Sequence, residues 1–154
     1  MMPSENRSLD LRGWTSVLLL GFASGLPLFL TGSTLKAWMT QEGLDLKTIG
    51  LFSMVTLPYS LKVLWAPLLD RYALPVLGRR RSWMLVMQGA MAVGLAAMAL
   101  HPPHQDLLLM AALAVGVAVA SATFDIATDA WRAERLPQKL LGLGNSVHIT
   151  TYRV

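Results

Sequence analysis

Residues 67–81 read Pro67-Leu-Leu-Asp-Arg-Tyr-Ala-Leu-Pro-Val-Leu-Gly-Arg-Arg-Arg81. Asp70 and Arg71 open the polar part of this stretch, and Gly78, Arg79, Arg80 and Arg81 close it. Long apolar segments flank it on both sides. Arginines crowded into a short connection between apolar spans stay on the cytoplasmic side of a membrane. That placement decides the fold class: an all-α, polytopic membrane helical bundle with this stretch as a cytoplasmic connection.

Composition points the same way. Of the 154 residues, 54% are hydrophobic and 14% are charged, against about 25% charged in a soluble domain. The mean hydropathy is +0.49. The net charge of +4 does not imply nucleic-acid binding, because the basic residues flank apolar spans instead of lining a polar helix. Cysteine is absent, which removes disulfide frameworks and thiolate metal sites. The first apolar stretch is longer than a signal-peptide core of roughly 7–15 residues and no small-residue cleavage site follows it. It therefore reads as a retained span.

Residues 1–13 read as a polar cytoplasmic lead, and 14–154 as a transmembrane N-terminal bundle. Spans need about 20 apolar residues. Helices are expected over 14–35, 48–69, 82–100 and 107–131, with a partial fifth over 142–154. The first contains Gly21, Gly25 and Pro27. The two glycines let another helix approach closely, and the proline removes a helical hydrogen bond and invites a kink. With Thr31, Ser33 and Thr34 nearby, this reads as a bent, polar-faced helix lining a cavity. Lys36 to Lys47 reads as a polar loop. The second helix carries Pro58, Pro67 and the charge of Lys62. Ala112, Gly116 and Ala120 repeat at four-residue spacing and suggest a packing stripe. His101 and His104 flank two prolines in a turn and have no companions for metal binding. Arg132 to Lys139 reads as a basic loop, and the last segment is too short to span. The chain is expected to stop inside its fifth helix.

Orientation follows from the basic residues. With the N-terminus inside, the inner segments hold nine: Arg7, Arg12, Arg71, Arg79, Arg80, Arg81, Arg132, Arg135 and Lys139. The outer loops hold only Lys36 and Lys47. This is a positive-inside distribution.

Lys62, Asp125 and Asp129 are the candidate proton- or substrate-coupling residues. Charges within membrane spans are costly and mark functional sites by default. Lys62 lies about 12 Å, and Asp125 about 10 Å, from the inner boundary of its helix. Their similar depth lets them pair across neighbouring helices. A carboxylate at that depth suits proton uptake and release. Asp129 shares a helical face with Asp125, but it is about one turn from the inner boundary, within reach of Arg71 or the 79–81 run. Its reading weighs toward a structural ion pair with that loop, and Asp125 toward function. An enzyme is disfavoured: no nucleophile–base pair, metal cluster or phosphate-binding glycine loop occurs in the sequence, and no cofactor is expected.

Asp70-Arg71 with Gly78-Arg79-Arg80-Arg81 resembles the loop between helices two and three of the major facilitator superfamily. The first glycine of that motif is replaced here, and the six residues 72–77 separate its halves. Seven blocks carry a closer likeness: Gly21-Phe-Ala-Ser-Gly-Leu-Pro27, Leu35-Lys-Ala-Trp-Met39, Asp45-Leu-Lys-Thr-Ile-Gly50, Lys62-Val-Leu-Trp-Ala-Pro67, Asp70-Arg-Tyr72, Gly78-Arg-Arg-Arg81 and Asp125-Ile-Ala-Thr-Asp-Ala-Trp131. Together they resemble the AmpG muropeptide permease family. The resemblance implies a secondary transporter of the bacterial inner membrane. It would import anhydromuropeptides, which are disaccharide-peptide cell-wall fragments, driven by protons, and so serve cell-wall recycling and β-lactamase induction. A related branch carries acetyl-coenzyme A.

The resemblance also implies a cytoplasmic gate loop from Asp70 to Arg81, contacting the inner end of the fourth helix. It implies at least twelve helices in two halves with substrate between them, so this chain alone is expected to be an inactive fragment missing its second bundle. The implied partners are membrane lipid, substrate, protons and that remaining half. Two other readings stay open: a carrier of an acyl-coenzyme A or a drug, and a small membrane protein acting through helix–helix interaction.

Overall fold

The computed structural model describes residues 11–72, 78–103, 105–136 and 138–152. The first ten residues of the expected lead, most of the spacer in the arginine loop and His104 lie outside the described residues. All regular structure among the described residues is helical. Three helical stretches are long and apolar enough to cross a membrane: Trp14–Gln41, Arg80–Leu100 and Leu107–Arg135.

The first is α1 (Leu11–Phe29), a π turn (Leu30–Thr34) and α2 (Leu35–Gln41) in continuous succession. Pro27 has no N–H to give, and the irregular turn begins three residues later. Thr31 Oγ1 donates to the carbonyl of Pro27 at 2.8 Å, which helps satisfy backbone disturbed by the proline. The expected loop from Lys36 is instead helix up to Gln41. Leu35 and Met39 are buried one turn apart, so apolar anchoring carries the helix past its polar residues. The true turn is short. Asp45 then caps α3 (Leu46–Leu51), accepting from Thr48 N at 3.1 Å and Thr48 Oγ1 at 2.6 Å. These bonds favour the carboxylate and hold Asp45 below its usual range.

The second segment is helical but broken, which corrects the expectation of one continuous helix. It runs through α3, a 3-10 turn (Phe52–Thr56), α4 (Leu57–Leu61), a second 3-10 turn (Lys62–Leu64) and α5 (Ala66–Arg71). Pro58 and Pro67 stand near the starts of α4 and α5. Each lacks an N–H and crowds the preceding turn, so the helix restarts at each proline.

Gly78 precedes α6 (Arg79–Leu100) with φ of 90°, a conformation that glycine adopts without strain. Met84, Met91 and Met98 are buried at seven-residue intervals along α6, on the face packed against α7 (Leu107–Arg135). Gly94 fits here because a Cβ would strike the Val117 side chain. Helix α7 is the hub. It packs against α1, α4, α5, α6 and α8 (Gln138–Tyr152), and Ala114, Val117, Ala118, Ser121, Ala122 and Phe124 are buried along it. The expected stripe of Ala112, Gly116 and Ala120 does not serve as a unit. Ala112 and Gly116 are exposed and only Ala120 is buried, because the packed face is set by the larger Met110, Val117 and Phe124.

Two helix ends also differ from expectation. α7 continues to Arg135, and α8 begins at Gln138. Arg132 and Arg135 sit in the last turn of α7, where cations favour the negative end of the helix dipole. Their charge therefore supports helix where polarity alone suggested loop. Large apolar side chains such as Leu19, Phe22, Val86, Val93 and Leu108 point outward, as a hydrocarbon surrounding requires.

Candidate functional site

The charged residues converge because α7 presents them on one face. Asp125, Asp129 and Arg132 fall at i, i+4 and i+7 and so share one side of the helix. Lys62 enters from the second 3-10 turn. Its Nζ lies 3.5 Å from Asp125 Oδ2 and 3.8 Å from Asp129 Oδ2. The side chain of Asp125 is only 7% exposed, whereas Asp129 is 46% exposed. Arg132 Nη2 donates to Asp129 Oδ1 at 2.7 Å. Trp65, three residues after Lys62, donates from Nε1 to Thr123 Oγ1 at 3.2 Å, which pins the broken segment to α7 two residues from Asp125.

These four residues line a cavity of about 350 Å³ together with Asn145, His148 and Ile149 of α8. A small-molecule site commonly has a volume of roughly 300–1,000 Å³. Two buried polar atoms of the lining residues, Asp125 Oδ1 and Arg132 Nη1, have no hydrogen-bond partner among the described residues. The hydroxyls of Ser24, Ser121 and Thr128 are in the same condition. Ser24 lies beside Asp125, outside hydrogen-bond geometry. A buried polar core left this open is costly in a finished scaffold. It suits a site that takes up protons, water or ligand groups.

Gly21, Gly25 and Pro27 are buried in α1 but are not among the described lining residues. Gly21 acts one contact away. A Cβ there would collide with Thr151 Oγ1 and lie 3.0 Å from the carbonyl of His148. The missing side chain therefore lets α8 approach α1 and bring His148 to the cavity.

The arginine stretch forms a separate cluster. Arg80 Nη1 donates to Asp70 Oδ1 at 2.6 Å, and Arg80 Nε donates to Glu134 Oε1 at 3.1 Å. Trp83 Nε1 also reaches the carbonyl of Tyr72 at 2.9 Å. Among the described residues, the stretch is thus tied to the C-terminal end of α7 through Glu134, and no contact with Asp129 is seen. The reason is reach along the helix: Asp129 faces Lys62 and Arg132, while Glu134, five residues later, faces Arg80. Arg71 and Arg81 are exposed, as is Gly78. The side chain of Arg79 lies outside the described residues.

Sequence reasoning brought Lys62, Asp125 and Asp129 forward and passed over Arg132, Asn145, His148 and Glu134. Arg132 reads in the sequence as an orientation residue at the start of a basic loop, although its three-residue spacing from Asp129 signals one helical face. Asn145 and His148 carry a similar signal, since their three-residue spacing places them on one helical face.

Over 138 residues, 90% of this chain, it is 51% identical to the anhydromuropeptide permeases of Escherichia coli strain K12 and strain O157:H7. Over 134 residues, 87% of this chain, it is 49% identical to an uncharacterized protein of Haemophilus influenzae. The match spans 28% of the Escherichia coli proteins and 32% of the Haemophilus protein. Those Escherichia coli relatives are named for permeation, not for an enzymatic reaction. With three helices able to cross a membrane, the chain is a multi-pass membrane protein. Residues 15–114 match the family described as Acetyl-coenzyme A transporter 1, and the chain belongs to that family.

Proposed function

We propose that this chain is the N-terminal part of a secondary transporter that imports anhydromuropeptides across the bacterial inner membrane, driven by protons. Its N-terminus lies in the cytoplasm, consistent with the positive-inside distribution, and a second helical bundle completes the cavity wall. The observation that carries this reading is the meeting of Lys62 and Asp129 with the buried Asp125 and Arg132 around a cavity of about 350 Å³. The identity with the Escherichia coli permeases supports the substrate.

Asp125 is the coupling carboxylate in this proposal. Its Oδ2 faces Lys62, and its Oδ1 is free to hold a proton. Protonation would remove the negative charge that holds Lys62 and release the cation toward Asp129 or toward substrate. Asp129, shared between Lys62 and Arg132, provides the alternative anchor. The contacts of Asp70 and Glu134 with Arg80 latch the cytoplasmic side, within a gate loop that also includes Arg71, Gly78, Arg79 and Arg81. The test is Asp125→Asn in the intact transporter. Uptake of labelled anhydromuropeptide should fall to background at unchanged membrane abundance. Preserved uptake removes Asp125 from the mechanism.

The family description favours one alternative, an acyl-coenzyme A as cargo. Competition separates the two readings. Excess acetyl-coenzyme A should leave muropeptide uptake unaffected if the first is correct.

A further inference from the structure

We infer that Arg132 is the residue that receives an anionic group of the transported molecule, a carboxylate or a phosphate. The inference rests on the reading of the cavity as a transport site, but not on which molecule is carried. Arg132 is 9% exposed, and its guanidinium donates through Nη2 to Asp129 Oδ1 at 2.7 Å. Its Nη1 is buried and has no partner among the described residues, and the residue lines the cavity. A buried cationic donor without an acceptor is costly. A planar guanidinium with donors on its remaining edges fits an oxyanion, which can accept two parallel bonds.

The surroundings favour the same ligand class. Lys62 adds a second cation, and the Asn145 side chain on α8 adds a neutral amide able to donate. Asp125 Oδ1, also unpartnered, is an acceptor. It lies seven residues, or about 10 Å of helix, from Arg132. A ligand that satisfies both carries an oxyanion at one end and an N–H or O–H donor at the other. A small inorganic anion cannot reach both. The other titratable groups lining the cavity are Asp125 and Asp129 on the same face of α7, Lys62 from the second segment, and His148 on α8.

The experiment measures equilibrium binding to the intact transporter carrying this segment, as wild type, Arg132→Gln and Arg132→Lys. The probes are a tetrapeptide-bearing anhydromuropeptide, the same molecule with every carboxylate amidated, and coenzyme A. Wild type should bind an anionic probe more tightly than the amide. Arg132→Gln should weaken the anionic probe about tenfold or more, the worth of one charge-assisted hydrogen bond, and leave the amide unchanged. Arg132→Lys should keep part of the preference.

An unchanged ratio of anionic to amidated binding in Arg132→Gln overturns the inference. So does equal weakening of both probes, which would mark a structural role, and so does a wild type that binds neither anionic probe. Binding of coenzyme A but not muropeptide, lost in Arg132→Gln, would sustain the inference while refuting the muropeptide reading.

Discussion

Replacing Lys62 by methionine removes the cation and keeps the length of the side chain. The cost depends on which carboxylate the lysine serves. At 3.5 Å from Asp125, the gross attraction is about 5 kcal/mol at an effective dielectric of 20. At 3.8 Å from the half-exposed Asp129, water-like screening leaves about 1 kcal/mol. Lys62 is itself 29% exposed, so the Asp125 figure must also be reduced for solvent. Asp125 is the dominant partner nonetheless, because its desolvation is already incurred by burial. Leaving a buried carboxylate without its cation typically costs 3–5 kcal/mol, and the exposure of Lys62 places this case near the lower end, about 3 kcal/mol.

Lys62→Met should therefore strongly destabilise the chain, whereas Lys62→Met/Asp125→Asn should recover most of the loss. The assay is unfolding of the purified protein in detergent micelles, followed by tryptophan fluorescence. A double variant as unstable as Lys62→Met alone would refute the reasoning, because Lys62 would then not be neutralising Asp125.

The arginine cluster and the helix contact at Gly21 give two further tests. A double-mutant cycle between Arg80→Gln and Glu134→Gln should return a coupling of about 1 kcal/mol, since Arg80 is mostly buried but Glu134 is half exposed; a coupling near zero would dismiss the direct tie. Gly21→Ala should cost about 1–3 kcal/mol through the collision with Thr151 and the backbone of α8. It should raise hydrogen exchange in α8 while leaving the α6–α7 pair protected, and an even loosening of all helices would contradict that account.

The fold class was legible because a membrane leaves few choices: charge-free runs become helices, and Lys62, Asp125 and Asp129 stand out against an apolar background. Pairing of Lys62 with Asp125 followed from depth alone. Finer features depended on neighbours. The end of the first helix at Gln41 depended on Met39 finding a buried place, which polarity does not reveal. That Arg80 meets Glu134 depends on the rotation of α7, which is fixed by Met110, Val117 and Phe124. The α8 residues at the cavity were hidden for another reason: they reach it only because Gly21 permits close approach by another helix, and a G-x-x-x-G pair does not name that helix.

The two carboxylates at the cavity and the lysine between them ride on mechanically different supports. Asp125 and Asp129 are fixed to α7, an unbroken helix of 29 residues held by neighbours along its length. Lys62 is carried by a three-residue 3-10 turn between two proline-started helices. Bending of the second segment is consequently an electrical event. Moving Nζ from 3.5 Å to twice that distance halves its attraction for Asp125, with no change in α7 at all. Conversely, whatever alters the charge on Asp125 changes the force on a hinge. The prolines that interrupt the segment thus act as a transducer between shape and charge.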